Sequence, residues 1–510
     1  MLGAAASLAC ACADPAAIDI SLVTSDRLAP ASTFTTLRVR VTEETSDRLV
    51  KQGTLTMGAL GAPAEVFDAD GLDVGARYVV TLVADVSTSV CGLGRAVGRS
   101  VAFRHRDGAY VVPVQLGCAD ELNVTRRQPV IGRDAQALVG MPDGSAFVLG
   151  GARSGFLVPL RSLDLASEVE RYDVATGQFA ITASLATART LPASVALPNG
   201  EAAVIGGVLA GITGCANTIE VATSTTTAIV GTLAQTRCLP AAVALPVAER
   251  VLVVGGALPI EVYDQTMRSR VGERTPSLAL RNLPTAIALS DGQSALVVGG
   301  TTAEAPTNGP VAELVRVGGA CGDAGCVSEV TGATLPAEGY REMAATWVSC
   351  ASGGGAVYVL GGVTGLRDAD GAIDAVYCYR DVPGVTGSLV AAGTLPARRR
   401  SAIAKTIRGP GGTQRVLLTG GFDASAMGRT VTPARDAATF DVDACTCAPI
   451  RAGAAAPLRN EDYPGAPLLF AGAGLADGSV LFVGGVRITS LTLAIAGTDD
   501  SALFMPDVDE

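Results

Sequence analysis

The chain has 510 residues, 48% of them hydrophobic and 17% charged, which is ample for a large core and excludes general disorder. A formal net charge of -11 is the opposite of what a nucleic-acid-binding protein carries, so no nucleic-acid partner is expected. Short alternating apolar runs broken by 61 glycines and 26 prolines, with little helical periodicity, predict an all-β protein rich in turns.

Residues 1–13 are small and apolar and end in cysteines. Ser7-Leu8-Ala9-Cys10 resembles a bacterial lipobox, which implies export, lipidation of Cys10 and a place in the bacterial cell envelope or at the cell surface. No other stretch approaches the roughly 20 apolar residues of a membrane span, so the lipid is the only membrane attachment expected. Only Lys51 and Lys405 among the basic residues are lysines, a bias expected of a GC-rich bacterial genome.

Residues 14–119 hold about seven short alternating segments, among them Ile18–Val23, Thr36–Thr42, Tyr78–Ala84 and Tyr110–Gln115. That density of strands predicts a β-sandwich of immunoglobulin-like class, with Cys91 and Cys118 bonded inside it. His105, the single histidine, is expected at a solvated strand end.

From residue 120 to 510 the chain repeats. An apolar strand, a turn and a second apolar strand end in Gly-Gly seven times, at Gly150-Gly151, Gly206-Gly207, Gly255-Gly256, Gly299-Gly300, Gly361-Gly362, Gly420-Gly421 and Gly484-Gly485. The spacings, 44 to 64 residues, suit one four-stranded propeller blade each. Turns such as Pro142-Asp143-Gly144 and Pro198-Asn199-Gly200 supply positive φ for tight hairpins. The Gly-Gly pairs suit a crowded strand exit where a side chain would clash. The last unit ends after a third strand near Ser501–Met505, so Glu121–Thr125 is expected to supply its fourth strand and close the ring.

These units resemble the kelch family, in which an apolar strand and Gly-Gly precede a Tyr and a Trp about six residues apart. The first unit keeps this as Tyr172 and Phe179, and later units keep Tyr263, Tyr377, Phe440 and Phe504. The resemblance implies a seven-bladed kelch-type propeller over residues 120–510. It also places an arginine at the start of each unit: Arg133, Arg189, Arg237, Arg281, Arg341, Arg399 and Arg459. Two readings stand. The arginines ring the channel mouth and bind an anion, or each ties blades together through carbonyls or a nearby carboxylate.

Twelve cysteines with no CxxC pair and one histidine argue for disulfides over zinc. Cys321 with Cys326 would close a hairpin, Cys215 with Cys238 would tie neighbouring blades, and Cys350 with Cys378 would link first and third strands of one blade. Cys445 and Cys447 would form only a strained bridge with each other. Asp68–Gly71 and Asp368–Gly371 are read as polar turns, since neither has the full spacing of a calcium loop. No metal or cofactor is expected. A copper oxidase resembling galactose oxidase needs two histidine ligands that this chain lacks. The expectation is a monomeric recognition or scaffold protein that binds a protein or glycan through its long-loop face. The alternative is an enzyme resembling the sialic-acid mutarotases, with Arg341, Glu338 and Glu342 at the channel mouth.

Overall fold

A computed structural model describes residues 17–24, 28, 33–58, 63, 65–153, 163–210, 214–272, 277, 280–300, 311–332, 340–364, 371–424, 431–434, 436–457, 471–488 and 495–508. Cys10, Glu338, Arg459 and Asp368–Asp370 lie outside these residues. The fold is all-β, and the main break between two compact units falls between Ala119 and Asp120.

The first unit corrects the expected immunoglobulin-like sandwich. Instead of two packed sheets it forms one sheet of eight strands, in the order Leu49–Thr56, Thr36–Glu43, Arg77–Asp85, Arg95–Arg99, Ala109–Cys118, Ala17–Thr24, Phe67–Asp68, with Phe103–Arg104 attached to Arg77–Asp85. The reason is one pairing that an alternation pattern cannot reveal. Ala17–Thr24 runs parallel to Ala109–Cys118 along its full length, Ala17 opposite Ala109 through Thr24 opposite Leu116, and this joins what would be two sheets. The sheet curls until its ends nearly meet. A Cβ on Gly53 would sit 2.9 Å from the Phe67 ring, and Lys51 Nζ reaches Asp68 Oδ2 at 2.8 Å. Ile18, Ile20, Leu37, Val39, Val80, Leu82, Val112 and Val114 fill the interior. Cys91 and Cys118 are bonded. His105 is not solvated: it is 2% exposed and its Nδ1 lies 2.7 Å from Tyr110 Oη.

The second unit is a seven-bladed β-propeller. The first strands of the blades are Ala137–Gly140, Ala193–Ala196, Ala241–Leu245, Thr285–Ala288, Ala344–Ser349, Ile403–Arg408 and Ala471–Gly474. Each packs beside the next, and the last beside the first. The second strands are the most buried. Ala146–Leu149, Ala202–Ile205, Ser294–Val298, Gly355–Leu360 and Val480–Val483 have no exposed residue, because neighbouring blades cover both faces. Val139 and Phe147 of blade one thus share a cluster with Val204 of blade two. Each such aliphatic side chain contributes about 1.5–3 kcal/mol on burial. This two-sided burial is why the runs before Gly-Gly are nearly continuous rather than alternating.

Six blades have four strands; blade three has three, ending at Glu261–Asp264. Among the described residues its fourth-strand position makes two backbone hydrogen bonds to the third strand, Asp264 N to Ser269 O at 2.9 Å and Val271 N to Val262 O at 3.0 Å. This blade opens the shortest interval between glycine pairs, so the chain has least length to spend there. The ring closes where the sequence places its seam. Glu121–Val124 pairs antiparallel with Ser501–Met505, Asn123 opposite Leu503. Arg415 clamps the seam with two hydrogen bonds to Asp120, at 3.0 and 2.9 Å, both side chains nearly buried.

Candidate functional site

The site is built from the segment that leads into each blade. In blade one, the Arg133 guanidinium spans its own blade. Nη1 donates to the carbonyls of Gly150 at 3.0 Å and Glu168 at 2.8 Å, and Nη2 to Glu170. Arg189 repeats this with Gly206 O and Glu220, Arg237 with Gly255 O and Glu261, and Arg281 with Gly299 O and Glu313. The same carboxylates cap backbone N–H groups just upstream: Glu170 accepts from Val130 and Ile131, Glu220 from Ala186, and Glu261 from Ala234. All four arginines are 0–1% exposed. Buried charges persist only when paired and hydrogen-bonded in this way. Desolvation pulls Arg133 and Arg189 below the usual arginine range, against the opposing pull of Glu170 and Glu220.

The arginine backbone does the blade-to-blade joining. Gly151 N donates to Arg189 O at 2.8 Å, Gly207 N to Arg237 O at 2.9 Å, Gly362 N to Arg399 O at 2.7 Å, and, across the seam, Gly485 N to Arg133 O at 3.0 Å. Both glycines of each pair have positive φ, as in Gly150 at 67° and Gly151 at 101°. A Cβ on Gly150 would lie 2.4 Å from Arg189 O. The glycine pair is therefore required both by backbone conformation and by the approach of the next blade.

Of the two readings of the arginines, Arg133, Arg189, Arg237 and Arg281 follow the one in which each is tied to carbonyls and a nearby carboxylate. Four guanidiniums are sealed inside their blades, where a ligand at the mouth does not reach them. Arg341 is out of register. Its place is held by Tyr340, whose carbonyl accepts from Gly300 N at 2.9 Å and whose Oη donates to Gly361 O at 2.8 Å. Tyr377 replaces the glutamate, with the two rings edge-on at 6.0 Å. Arg399 keeps the register but pairs with Asp436, at 2.7 and 2.6 Å, and is 3% exposed.

Of the described residues two places after the lead-in arginine or tyrosine, Ala135 is buried, whereas Leu191, Leu239, Leu283, Glu342 and Ser401 keep some exposure. Ala135, Leu191, Leu283, Glu342 and Ser401 hold left-handed backbone with φ of 49–56°, and Leu239 occupies the same place in blade three. Their backbones bond to one another around the axis: Leu191 N to Ala135 O at 2.8 Å, Leu283 N to Leu239 O at 3.1 Å, Ser401 N to Glu342 O at 2.9 Å. One arc is thus apolar, with Leu191 and Leu239 half-buried and Leu283 38% exposed. The opposite arc is polar. Glu342 accepts from Arg400 Nε at 2.7 Å and from Ser401 Oγ at 2.5 Å, with Arg341 Nε 4.0 Å away. Burial pushes the Glu342 carboxyl up, but the Arg400 hydrogen bonds and charge, with Ser401, hold it below its ordinary value. The sequence signal for this ring was the residue two after each arginine, but without the blade register it reads as an ordinary loop position.

Two disulfides correct the expected pairing of Cys350 with Cys378. Cys350 is bonded to Cys445 and Cys378 to Cys447, with Cα separations of 5.0 and 5.7 Å. The first and third strands of one sheet lie about 9.6 Å apart, beyond the reach of a disulfide. The turn Asp443–Cys447 of blade six instead meets blade five, where Cys378 faces it in a shared cluster with Cys447. Cys215–Cys238 and Cys321–Cys326 form as expected.

Among the described residues no group of three or more His, Cys, Asp or Glu side chains could hold a metal ion. No helix among them is long and apolar enough to cross a membrane. No family model matches the chain, and no curated protein matches it. Among solved structures it is similar to a novel fungal alcohol oxidase of the AA5 family, in complex with copper. The two share 15% identity with a TM-score of 0.53 over 74% of this chain and 75% of that one. At that identity the likeness is one of fold.

Proposed function

We propose that this chain is an exported recognition protein of kelch type, whose propeller binds a protein or glycan at the channel mouth on the face bearing the Gly-Gly loops. Five disulfides support folding in an oxidising compartment, and a bacterial envelope location with Cys10 lipidated is part of the same reading.

The observation that carries it is Leu283. An exposed leucine in left-handed backbone is costly, about 1–2 kcal/mol, and asparagine or glycine would sit there more easily. Strained, exposed apolar residues on a rigid scaffold are what a binding surface requires and what stability alone disfavours. The polar arc at Glu342, Arg400 and Ser401 lies across the mouth and gives orientation. Glu342 is committed to Arg400, which leaves the isomerase alternative without a free acid at that position.

The test is a glycan and envelope-protein binding screen with the purified protein, repeated with Leu191→Asn and Leu283→Asn. The expected result is a ligand whose affinity falls at least about tenfold in both variants while thermal stability holds or rises. Binding that is unchanged in both variants overturns the assignment of the mouth. Sugar turnover lost in Glu342→Gln overturns the non-enzymatic reading.

A further inference from the structure

Lys405 is the only lysine of the propeller. It lies on the first strand of blade six, Ile403–Arg408, which lines the central channel. Side chains on this strand alternate between the neighbouring blades. Ile403 and Ile407 pack with Val480 and Phe482 of blade seven. Ala404 packs with blade five, and Thr406 Oγ1 meets Thr346 Oγ1 of blade five at 2.9 Å. Lys405 therefore shares the side of Ile403 and Ile407 and faces blade seven.

The strand it faces is Ala471–Gly474, in which no side chain is larger than a methyl group. A Cβ on Gly472 would meet Ile403 at 2.9 Å. A Cβ on Gly474, two residues further on and level with Lys405, would meet nothing within 4 Å. Gly474 is exposed, so the channel is open at this level on the side that Lys405 faces. Lys405 is half-buried and no described carboxylate pairs with it, whereas Lys51 pairs with Asp68. Desolvation holds the amine below the ordinary lysine range. A partly desolvated cation without a carboxylate partner among the described residues is costly, and an anion arriving beside it recovers part of that cost.

We propose that Lys405 Nζ anchors a small monocarboxylate in the channel, its carboxylate on the amine and its short apolar tail in the space beside Gly474. One cation with no carboxylate partner among the described residues matches a single negative charge. Ile403 and the face of Ala471–Gly474 that carries Gly472 and Gly474, which bears no side chain, match a short aliphatic tail rather than a polyanion or a hydrated inorganic ion.

With only two lysines, protein carrying lysine labelled with ¹³C at Cε gives two side-chain NMR signals, assigned by Lys51→Arg. Butyrate is the probe. The expected result is a saturable shift of the Lys405 signal, a rise of its titration midpoint, no movement of the Lys51 signal, and no comparable effect of chloride. Gly474→Val, which fills the space, abolishes the shift. A Lys405 signal that does not respond saturably, that moves in step with Lys51, or that responds equally to chloride overturns the proposal. These readouts come from the unaltered channel, so they decide the proposal even if the Gly474 variant misfolds.

Discussion

Tyr340 meets Tyr377 edge-on at 6.0 Å at the place where blades one to four hold an arginine against a glutamate. The exchange is paired: both charged residues are gone, and the Tyr340 hydroxyl takes over the hydrogen bond to the blade's first glycine carbonyl. A buried ion pair and a well-packed uncharged pair of similar volume are near-equivalent solutions, whereas half of either is not.

Tyr340→Arg alone buries an unpaired guanidinium and is expected to cost about 3–5 kcal/mol. Tyr340→Arg with Tyr377→Glu is expected to recover at least about 1–3 kcal/mol of that loss. A double-mutant cycle from urea unfolding measures the coupling. Additive losses would show that the two positions are not the counterparts of Arg189 and Glu220.

Glu342 gives a pH signature. Its folded-state pKa is depressed relative to the unfolded chain, so its ion pair stabilises the protein above pH about 4.5 and is lost as the pH falls through the folded value. The stability difference between the native chain and Glu342→Gln should be full at pH 7 and shrink towards pH 3. A difference that stays constant across that range would show that the carboxylate contributes packing rather than charge.

The linkage of blades five and six predicts the peptides seen under non-reducing digestion: Cys350 joined to Cys445, and Cys378 joined to Cys447. Replacing Cys378 and Cys447 together by alanine should lower stability by about 2–4 kcal/mol. Recovery of a Cys350–Cys378 peptide would contradict the arrangement of these blades.

At the seam, Asp120→Asn weakens the clamp from Arg415 and leaves that guanidinium nearly buried without its charge partner. Amide hydrogen exchange should speed up first in Glu121–Val124 and Ser501–Met505, ahead of the second strands of the other blades. Uniform acceleration through all seven blades would mean that the seam is not the weakest joint.

Much of this fold can be read along the chain. Seven apolar hairpins ending in Gly-Gly determine seven blades, because positive φ and close backbone approach admit only glycine there. The missing fourth strand of the last unit determines the seam at Glu121–Val124, because a propeller sheet left open would expose an edge. These are local requirements, and local requirements leave local signatures.

Other features depend on what the folded chain brings together. Whether Arg341 or Tyr340 holds the lead-in position is a matter of one residue of register, set by which carbonyl meets Gly300. The partners of Cys350 and Cys378 depend on a turn of the next blade. The first unit's single curled sheet depends on a parallel pairing between its first strand and its last long one. The burial of His105, the sealing of four arginines against their glutamates and the placement of Lys405 in the channel follow from packing between distant segments. Alternation and spacing report only which residues share a strand face; which strand lies opposite that face was decided by the tertiary structure alone.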